Sequence, residues 1–441
     1  MDFVLLPVLE ELVFLFSLRG WKLNMIQKIK AWAQETPHRQ ALVIDDKSYT
    51  YCDLLRMMNQ IRLDSKSSDV CFIVEHRPLE QLMTFLVAVS LGIKPVICHP
   101  NLSPEIQQAL ASEAGVSDLR LEADFGILTS GTSGKPKILW RTMSSWVDFF
   151  AEQNRIFHIN QKTALFLKGN FSFSGNLNMA LAVLYEGGQL IISDKPSPRS
   201  WVQLCQICQV SHMYLLPSLL QVLASHLNSR KINLSYIISS SQTLPVPLIR
   251  ELYDRQPNCE IIVFYGASEL SFISWCKGRE VLEYPNLVGR AFKNVQIKLR
   301  NNKIYVTTPY AAVGVRCPFT VEDYGHFSKA GLILEGRPSD WANYAGTKLY
   351  LPRIRQKLLS CSFVKDAFCL KLSSHLAGDE VHAFLVLKDG ISLPEAKKSI
   401  SSVLLATEQP KYWHTIDAIP LMDSSKVDVQ YLKELCQKRI H

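Results

Sequence analysis

The sequence lacks most of the patterns that would assign a chain quickly to a class of protein. It has no internal repeat and no low-complexity tract, which excludes solenoid and other repeat architectures. It also has no long lysine and arginine run and no interleaving of aromatic with basic residues. The net charge of +8 is spread along the chain, so it favours small anionic ligands, and we expect no nucleic-acid partner.

Cysteine is present without a recognisable pattern. The 11 cysteines are scattered, and a CxxC spacing occurs at Cys205 and Cys208 with no second pair to complete a zinc site. The surrounding stretch, WVQLCQICQV, predicts a buried helix. So many unpaired thiols favour a reducing compartment, and we therefore expect a cytoplasmic location.

Long apolar runs are also scarce. The run at 3–18, FVLLPVLEELVFLFSL, is short for a membrane span and contains Glu10 and Glu11, so we expect no transmembrane span. No positively charged segment precedes it, which disfavours a signal peptide. Met25 opens an amphipathic stretch and is a plausible natural start. We therefore expect residues 1–24 to be an extension, and a gene-start error, a surface helix and a membrane-peripheral anchor are the open interpretations.

From Met25 onward, short apolar runs alternate with stretches of helical spacing. CFIVEH (71–76), PLEQLMTFLVAVSLG (78–92) and KPVICH (94–99) predict a strand, a helix and a strand. The same rhythm continues to EIIVFYG at 260–266, which predicts an α/β fold with parallel sheets covered by helices. VQIKLRNNKIYVTT then predicts a hairpin with the two asparagines at its turn. We place a domain boundary near Gly336–Arg337.

The stretch ILTSGTSGKPK, at 127–137, has the composition of a phosphate-binding loop. Glycine lets backbone N–H groups turn toward an anion, while serine and threonine add hydroxyl donors and lysine adds charge. A Walker loop is excluded, because Gly131 and Gly134 are too close together and Pro136 follows Lys135. The GxGxxG pattern is absent too. Composition alone leaves a polar surface turn as the alternative.

The spelling TSGTSGKPK closely resembles the signature loop of the adenylate-forming superfamily of acyl-CoA synthetases, adenylation domains and luciferase-like enzymes. Further segments are similar to the family's elements and follow in the same order: YTYCDLL (49–55), VFYGASEL (263–270), EDYGHFSKAGLILEGR (322–337) and IPLMDSSKVD (419–428). The resemblance covers residues 25 to 438. It implies an N-terminal AMP-binding domain at 25–336, built from βαβ-layered sheets with a small β-barrel-like part. A small, mobile α+β lid domain is implied at 337–441.

The resemblance also implies a reaction. A carboxylate attacks the α-phosphorus of ATP, pyrophosphate leaves, and a thiol then takes the acyl group. ATP, magnesium and coenzyme A are the implied cofactors. The implied ATP-binding residues are Ser130, Gly131, Thr132, Ser133, Gly134, Lys137, Tyr265, Gly266, Ala267, Ser268, Asp323 and Arg337.

The implied catalytic residues are Lys426, Thr132 and Glu269. Glu269 is also the implied metal ligand, because magnesium prefers few carboxylates together with phosphate oxygens. Lys426 would bridge the carboxylate and the α-phosphate as charge develops. Tyr265 would lie against adenine, Asp323 would accept from the ribose hydroxyls, and Arg337 would reach ribose or phosphate.

The segment FSFSGNLNMALAVLYEGG (171–188) aligns with the family's acyl-pocket helix and gives Phe173, Ser174 and Asn176 as substrate-pocket candidates. Members that activate amino acids place an aspartate near its start, and this chain has none there. A fatty or other apolar or aryl acid is therefore favoured. The compact chain resembles bacterial acid–CoA ligases, so coenzyme A is the expected acceptor.

Two alternatives to an acid–CoA ligase remain open. A stand-alone ligase could load an acyl carrier protein in place of coenzyme A. A nucleotide-binding pseudoenzyme is the other, because the sequence departs from the family pattern at 239–242, Asn343 and Arg353–Arg355. The sequence makes no prediction of oligomeric state.

Overall fold

A computed structural model gives the fold of this chain. It describes residues 22–63, 69–99, 101–130, 136–227, 232–344, 347–374, 378–422 and 426–438. Most of the predicted N-terminal extension lies outside these residues. The chain forms two compact units. The first comprises the described parts of Met1–Tyr214, Ala267–Ser271 and Thr308–Cys317, and the second those of Leu215–Gly266, Phe272–Thr307 and Pro318–His441. The division at Gly336–Arg337 stays a prediction.

The helices follow the predicted helical stretches closely. For example, the segment predicted at 78–92 is helical over Pro78–Ser90, with proline in its first turn. In chain order the helices are α1 (Lys22–Glu35), α2 (Tyr51–Gln60), α3 (Pro78–Ser90), α4 (Pro104–Val116), α5 (Ser144–Phe157), α6 (Ser174–Tyr185), α7 (Pro198–Ile207), α8 (Pro217–Ala224), α9 (Val246–Arg255), α10 (Gly278–Glu283), α11 (Leu351–Leu359), α12 (Leu393–Ile400) and α13 (Val429–Lys438).

The strands are short, and most coincide with the apolar runs. In chain order they are β1 (Gln40–Ile44), β2 (Lys47–Thr50), β3 (Val70–Ile73), β4 (Lys94–Ile97), β5 (Phe125–Ser130), β6 (Pro136–Arg141), β7 (Ala164–Lys168), β8 (Gln189–Ser193), β9 (His212–Tyr214), β10 (Tyr236–Ser239), β11 (Glu260–Ala267), β12 (Ser271–Lys277), β13 (Leu287–Ala291), β14 (Gln296–Arg300), β15 (Lys303–Thr307), β16 (Tyr324–Ser328), β17 (Gly331–Gly336), β18 (Trp341–Tyr344), β19 (Thr347–Tyr350), β20 (Val364–Ser374), β21 (Gly378–Leu387) and β22 (Tyr412–Thr415).

The first unit contains two sheets. Strands β1, β8, β7 and β9 lie side by side in parallel, with β2 antiparallel at the edge. In the other sheet β3, β4 and β5 are parallel, and β6 returns antiparallel to β5. Such parallel strands need crossover connections, and the helices between them supply these. Helix α6 is buried over residues 176–184, as expected of a helix that is apolar on most faces.

The second unit begins with the parallel pair β10 and β11 and continues into antiparallel strands. The predicted hairpin is confirmed: β14 pairs with β15, and Asn301 and Asn302 occupy the turn with φ of 50° and 61°. Two consecutive positive φ angles are what a two-residue type I′ turn requires, and asparagine tolerates them well.

The C-terminal segment of the second unit forms its own sheet, in the order β19-β18-β21-β20, with β22 parallel to β21. One face buries an apolar cluster that includes Ile354 of α11 and Ile400 of α12. The other face buries a second cluster that includes Leu432 of α13. Parallel sheets with crossover helices, an antiparallel part and this α+β segment confirm the predicted α/β fold class. No helix among the described residues has the length and apolarity to cross a bilayer.

Candidate nucleotide-binding and active site

The predicted phosphate loop connects two paired strands. Strand β5 ends at Ser130 and β6 begins at Pro136; these two residues face each other in the register, as do Thr129 and Lys137. The hairpin therefore fixes both ends of the loop. The loop residues Gly131, Thr132, Ser133 and Gly134 lie outside the described residues, so their roles stay predictions. Lys137 is exposed at the start of β6.

Arg141, the last residue of β6, is buried to 1% exposure. Its Nη1 donates to the carbonyl oxygen of Ser268 at 2.6 Å, and its Nη2 donates to that of Tyr310 at 2.6 Å. Burial lowers the pKa of this guanidinium, and the charge of Glu269 acts in the opposite direction. A buried arginine with two carbonyl partners ties three distant segments of the first unit together.

The turn after β11 carries Ser268 and Glu269. The amide N–H of Leu270 donates to the carbonyl of Ala267, and that of Ala312 donates to the carbonyl of Glu269. The backbone of the turn is thus fixed, while the side chain of Glu269 is half-buried and reaches solvent. A single carboxylate in such a position fits magnesium, which keeps most of its ligands as water and phosphate oxygens.

Asp323 joins two sequence motifs, because it accepts hydrogen bonds from Tyr265 of one motif and from Arg337 of its own. Its Oδ2 accepts from the hydroxyl of Tyr265 at 2.6 Å, and its Oδ1 accepts from Nε of Arg337 at 2.6 Å. Asp323 is 7% exposed. Burial would lower the pKa of Arg337, but the hydrogen bond and charge of Asp323 raise it above its ordinary value. Each carboxylate oxygen has a second lone pair, so Asp323 can still accept from hydroxyl groups.

The residue before Arg337 is a glycine in a backbone conformation that other residues rarely adopt. Gly336 has a φ of +84°, and a Cβ there would lie 2.7 Å from Oδ2 of Asp340. The same oxygen accepts from the backbone N–H of Arg337 at 2.8 Å. A side chain at position 336 would therefore displace the residue that holds Arg337.

Lys426 lies three residues before the start of α13. Residues 423–425, which precede it, lie outside the described part of the chain. The N–H of Met422 donates to the carbonyl of Lys426 at 2.7 Å, and Leu421 pairs with Val427 across the same turn. These two contacts hold the backbone of Lys426 against residues 421 and 422. The catalytic role of its ammonium group stays a prediction.

The predicted acyl-pocket residues lie at the start of α6. Asn176 is buried, and its Nδ2 donates to the carbonyl oxygens of Lys168 at 3.0 Å and Asn170 at 3.1 Å. Its amide nitrogen therefore shapes the preceding loop. Phe173 and Ser174 are partly exposed at the first turn of the helix, a position open to a small ligand.

Sequence reasoning missed two residues of this region. Gln81 is fully buried in α3; its Nε2 donates to the carbonyl of Glu75 at 2.8 Å, and its Oε1 accepts from the N–H of Phe171 at 3.0 Å. Arg141 is the other. Gln81 comes directly before the apolar residues Leu82 and Met83, and Arg141 directly after Leu139 and Trp140; a polar residue at the end of an apolar run is the signal that could have pointed to them.

Arg353 and Arg355, at which the sequence departs from the family pattern, both have partners nearby in the structure. Nε of Arg355 donates to the carbonyl of Ala367 at 2.6 Å, and its guanidinium pairs with Asp366 at 3.4 Å. Arg353 lies 3.9 Å from Glu408. These arginines serve contacts within the C-terminal segment.

Three comparisons place this chain among known proteins. Residues 125–314 match the model of the AMP-binding enzyme family. The uncharacterized acyl-CoA ligase YhfT of Bacillus subtilis is 27% identical over 367 residues, covering 78% of this chain and 75% of that protein. VraA of Staphylococcus epidermidis, a proposed long chain fatty acid-CoA ligase, is 22% identical and covers 93% of this chain and 98% of its own length.

The fold is shared with a solved enzyme. The o-succinylbenzoate CoA synthetase MenE of Bacillus subtilis, solved with its acyl-adenylate intermediate, has a TM-score of 0.75 at 18% identity, covering 92% of this chain and 97% of that one. The same enzyme has also been solved with ATP and a magnesium ion. Together the family match over residues 125–314, the acyl-CoA ligase relatives and the shared fold confirm the resemblance to the adenylate-forming, AMP-binding superfamily that the sequence motifs indicated.

Proposed function

We propose that this protein is an ATP-dependent ligase that joins a fatty or other apolar or aryl carboxylic acid to coenzyme A. In the first half-reaction the acid displaces pyrophosphate from ATP and forms an acyl-adenylate. In the second, the thiol of coenzyme A displaces AMP and forms the thioester. The acyl-CoA ligase relatives support the reaction class.

The observation that carries the proposal is the cluster of Tyr265, Asp323 and Arg337. Tyr265 lies 58 residues and Arg337 lies 14 residues from Asp323 along the chain, and both donate hydrogen bonds of 2.6 Å to its carboxylate. The aromatic ring would lie against adenine. The carboxylate, which has lone pairs to spare, would accept from the ribose hydroxyls, and the cation would pair with phosphate. A nucleotide site preorganised in this way would orient the α-phosphorus for attack.

Glu269 would hold magnesium against the outer phosphates, and the ion when bound would neutralise charge on the pyrophosphate leaving group. The 131–135 loop would contribute hydroxyl and backbone donors to the same phosphates. Lys426 would stabilise negative charge between the attacking carboxylate and the α-phosphate. Ser268 would donate to the α-phosphate from the turn that Arg141 holds.

The acid class is inferred from the start of α6. Phe173 and Ser174 line its exposed first turn, and α6 carries no acidic residue from Ser174 to Tyr185. An α-ammonium group would have no carboxylate to pair with there, so an amino acid is disfavoured. The relative named for long chain fatty acids agrees with an apolar acid.

The test is pyrophosphate release with ATP and magnesium across a panel of fatty, aryl and amino acids, with and without coenzyme A. We expect release with one apolar acid class, and a thioester only when coenzyme A is present. Release without any thioester would favour a carrier protein as the acceptor. No release with any acid, together with measurable ATP binding, would replace the proposal with a nucleotide-binding pseudoenzyme.

A further inference from the structure

A second chemical centre lies in the C-terminal segment. Strands β21 and β22 are parallel, with His382 opposite Tyr412 and Phe384 opposite His414. His382 and Phe384 are two residues apart on one strand, so their side chains point to the same face of the sheet. The rings of His382 and His414 stack at 5.3 Å between centroids with an interplanar angle of 7°.

Helix α13 covers this face of the sheet. Leu432 and Cys436 are four residues apart on the helix and both are fully buried, so they share the face that packs on the strands. Cys436 lies in the last turn of the helix. The surrounding core is apolar and includes Leu370 and Phe384. Two imidazoles and one thiol are therefore enclosed in a hydrophobic interior.

The three side chains converge. Nδ1 of His382 lies 3.0 Å from Nε2 of His414, and Sγ of Cys436 lies 4.0 Å from the same nitrogen. One ligand atom from each of the three residues lies within 4.8 Å of the other two. Their exposures are 1% for His382, 7% for His414 and 0% for Cys436.

These distances suit one ion. Zinc binds histidine nitrogen at about 2.0–2.1 Å and cysteine sulfur at about 2.3 Å. Two such bonds to nitrogen can span up to about 4.2 Å, and a nitrogen and a sulfur bond together up to about 4.4 Å. The nitrogen–nitrogen distance of 3.0 Å and the nitrogen–sulfur distance of 4.0 Å, both measured from Nε2 of His414, lie inside these limits. The ligand atoms of His382 and Cys436 lie within 4.8 Å of each other, so a movement of about 0.4 Å or less brings all three within reach of one ion.

Nδ1 of His382, the ring nitrogen that lies against His414, is the atom that would bind the ion. The other ring nitrogen, Nε2, is buried and has no hydrogen-bond partner among the described residues. A neutral imidazole is the form of histidine that binds a metal, through the lone pair of its unprotonated nitrogen.

We propose that His382, His414 and Cys436 bind a single zinc ion, and that the ion fastens α13 to the sheet. On binding, the thiol of Cys436 would release its proton to solvent and ligate as the thiolate. Water or another small ligand would complete the tetrahedral coordination. The site is separate from the Tyr265, Asp323 and Arg337 cluster and does not depend on the proposed ligase function.

The experiment uses tag-free full-length protein, purified without added metal and then stripped with a chelator. Elemental analysis of the protein as purified should find about one zinc per chain. Titration of the stripped protein with Co²⁺ should produce thiolate-to-cobalt charge-transfer absorption that saturates at about one equivalent and disappears on adding Zn²⁺. The melting temperature of the stripped protein should rise with Zn²⁺.

Cys436→Ser should abolish the charge-transfer absorption and lower the zinc content to background. Cys369→Ser is the matched control, because Cys369 is a buried thiol of β20 in the other apolar cluster of the same sheet. It should keep both signals. If Cys436→Ser does not fold, His382→Gln and the titration of the unsubstituted protein still decide the matter.

Two results would overturn the proposal. One is stripped, unsubstituted protein that shows no charge-transfer absorption and no Zn²⁺-dependent rise in melting temperature. The three residues would then be a packed imidazole and thiol cluster. The other is copper in place of zinc in the purified protein, which would contradict the identity of the ion.

Discussion

Nη1 of Arg141 donates a 2.6 Å hydrogen bond to the carbonyl oxygen of Ser268, a residue 127 positions further along the chain. The other terminal nitrogen binds the carbonyl of Tyr310 at the same distance. One buried side chain thus connects the strand that follows the phosphate loop with the turn that carries Glu269. We infer that Arg141 is a positioning residue for that turn.

Replacing Arg141 with lysine tests this role. Lysine has a single ammonium group and cannot reproduce the planar fork that reaches both carbonyls. Leaving one buried carbonyl unpaired costs about 1–3 kcal/mol, so Arg141→Lys should lower the melting temperature and slow pyrophosphate release about 10-fold or more. Arg155→Lys is the control, because Arg155 is an exposed residue of α5 paired with Glu152. Unchanged melting and unchanged release in Arg141→Lys would contradict the positioning role.

Asp323→Asn should weaken nucleotide binding. An asparagine can accept at only one of the two positions that Tyr265 and Arg337 now use, and its NH₂ group would face a donor. Hydrogen bonds to charged groups contribute about 1.5–3 kcal/mol, so we expect the KM for ATP to rise about 10- to 100-fold. Glu322→Gln is the matched control, since Glu322 is an adjacent carboxylate whose side chain is 58% exposed and paired with Lys303. Equal effects of the two substitutions would refute the nucleotide role of Asp323.

Lys426→Ala should separate the two half-reactions. Loss of one preorganised donor typically lowers the rate by about 10²–10³, so acyl-adenylate formation should fall by at least that factor. Thiol transfer from a preformed acyl-adenylate should be spared, because the charge that Lys426 stabilises develops only in the first step. Lys433→Ala, on the exposed face of α13, is the control for loss of a lysine near the C-terminus. Equal loss of both half-reactions in Lys426→Ala would contradict this division.

Gly175→Ala tests the acyl pocket. A Cβ at this position would lie 2.4 Å from the hydroxyl of Tyr214 and 2.9 Å from Cε1 of Phe173, so the aromatic rings would have to move. We expect a higher KM for the acid, larger for bulky acids, with little change in the KM for ATP. Gly115→Ala, in α4, is the control because a Cβ there meets no atom within 4 Å. A raised KM for ATP alone would place the pocket elsewhere.

Much of the fold was predictable because local patterns set it. The apolar run QLIIS became β8, and two asparagines at a hairpin turn adopted the positive φ angles that their position demands. Strand boundaries were less certain. The stretch HMYLLP (212–217) has the composition of a single strand, but β9 ends at Tyr214 and Pro217 starts α8, since proline is favoured in the first turn of a helix.

The grouping of Tyr265, Asp323 and Arg337 could be predicted, because two motifs name these residues, while their role in binding a nucleotide stays a prediction. The environment of Arg141 could not be predicted, because its partners are backbone carbonyls, and a carbonyl leaves no mark on the sequence. The cluster of His382, His414 and Cys436 was hidden for a related reason. The register of two parallel strands and the face of a helix bring those residues together, and neither is visible in their spacing along the chain.

The most direct test of the proposed activity is the identity of the nucleotide products. The protein would be incubated with ATP, magnesium and the acid that gives the most pyrophosphate, first without and then with coenzyme A, and the products separated by chromatography with mass detection. The account predicts pyrophosphate and an acyl-adenylate in the first incubation, and AMP with the matching acyl-CoA thioester in the second. ADP and inorganic phosphate as products, or intact ATP in both incubations, would contradict it.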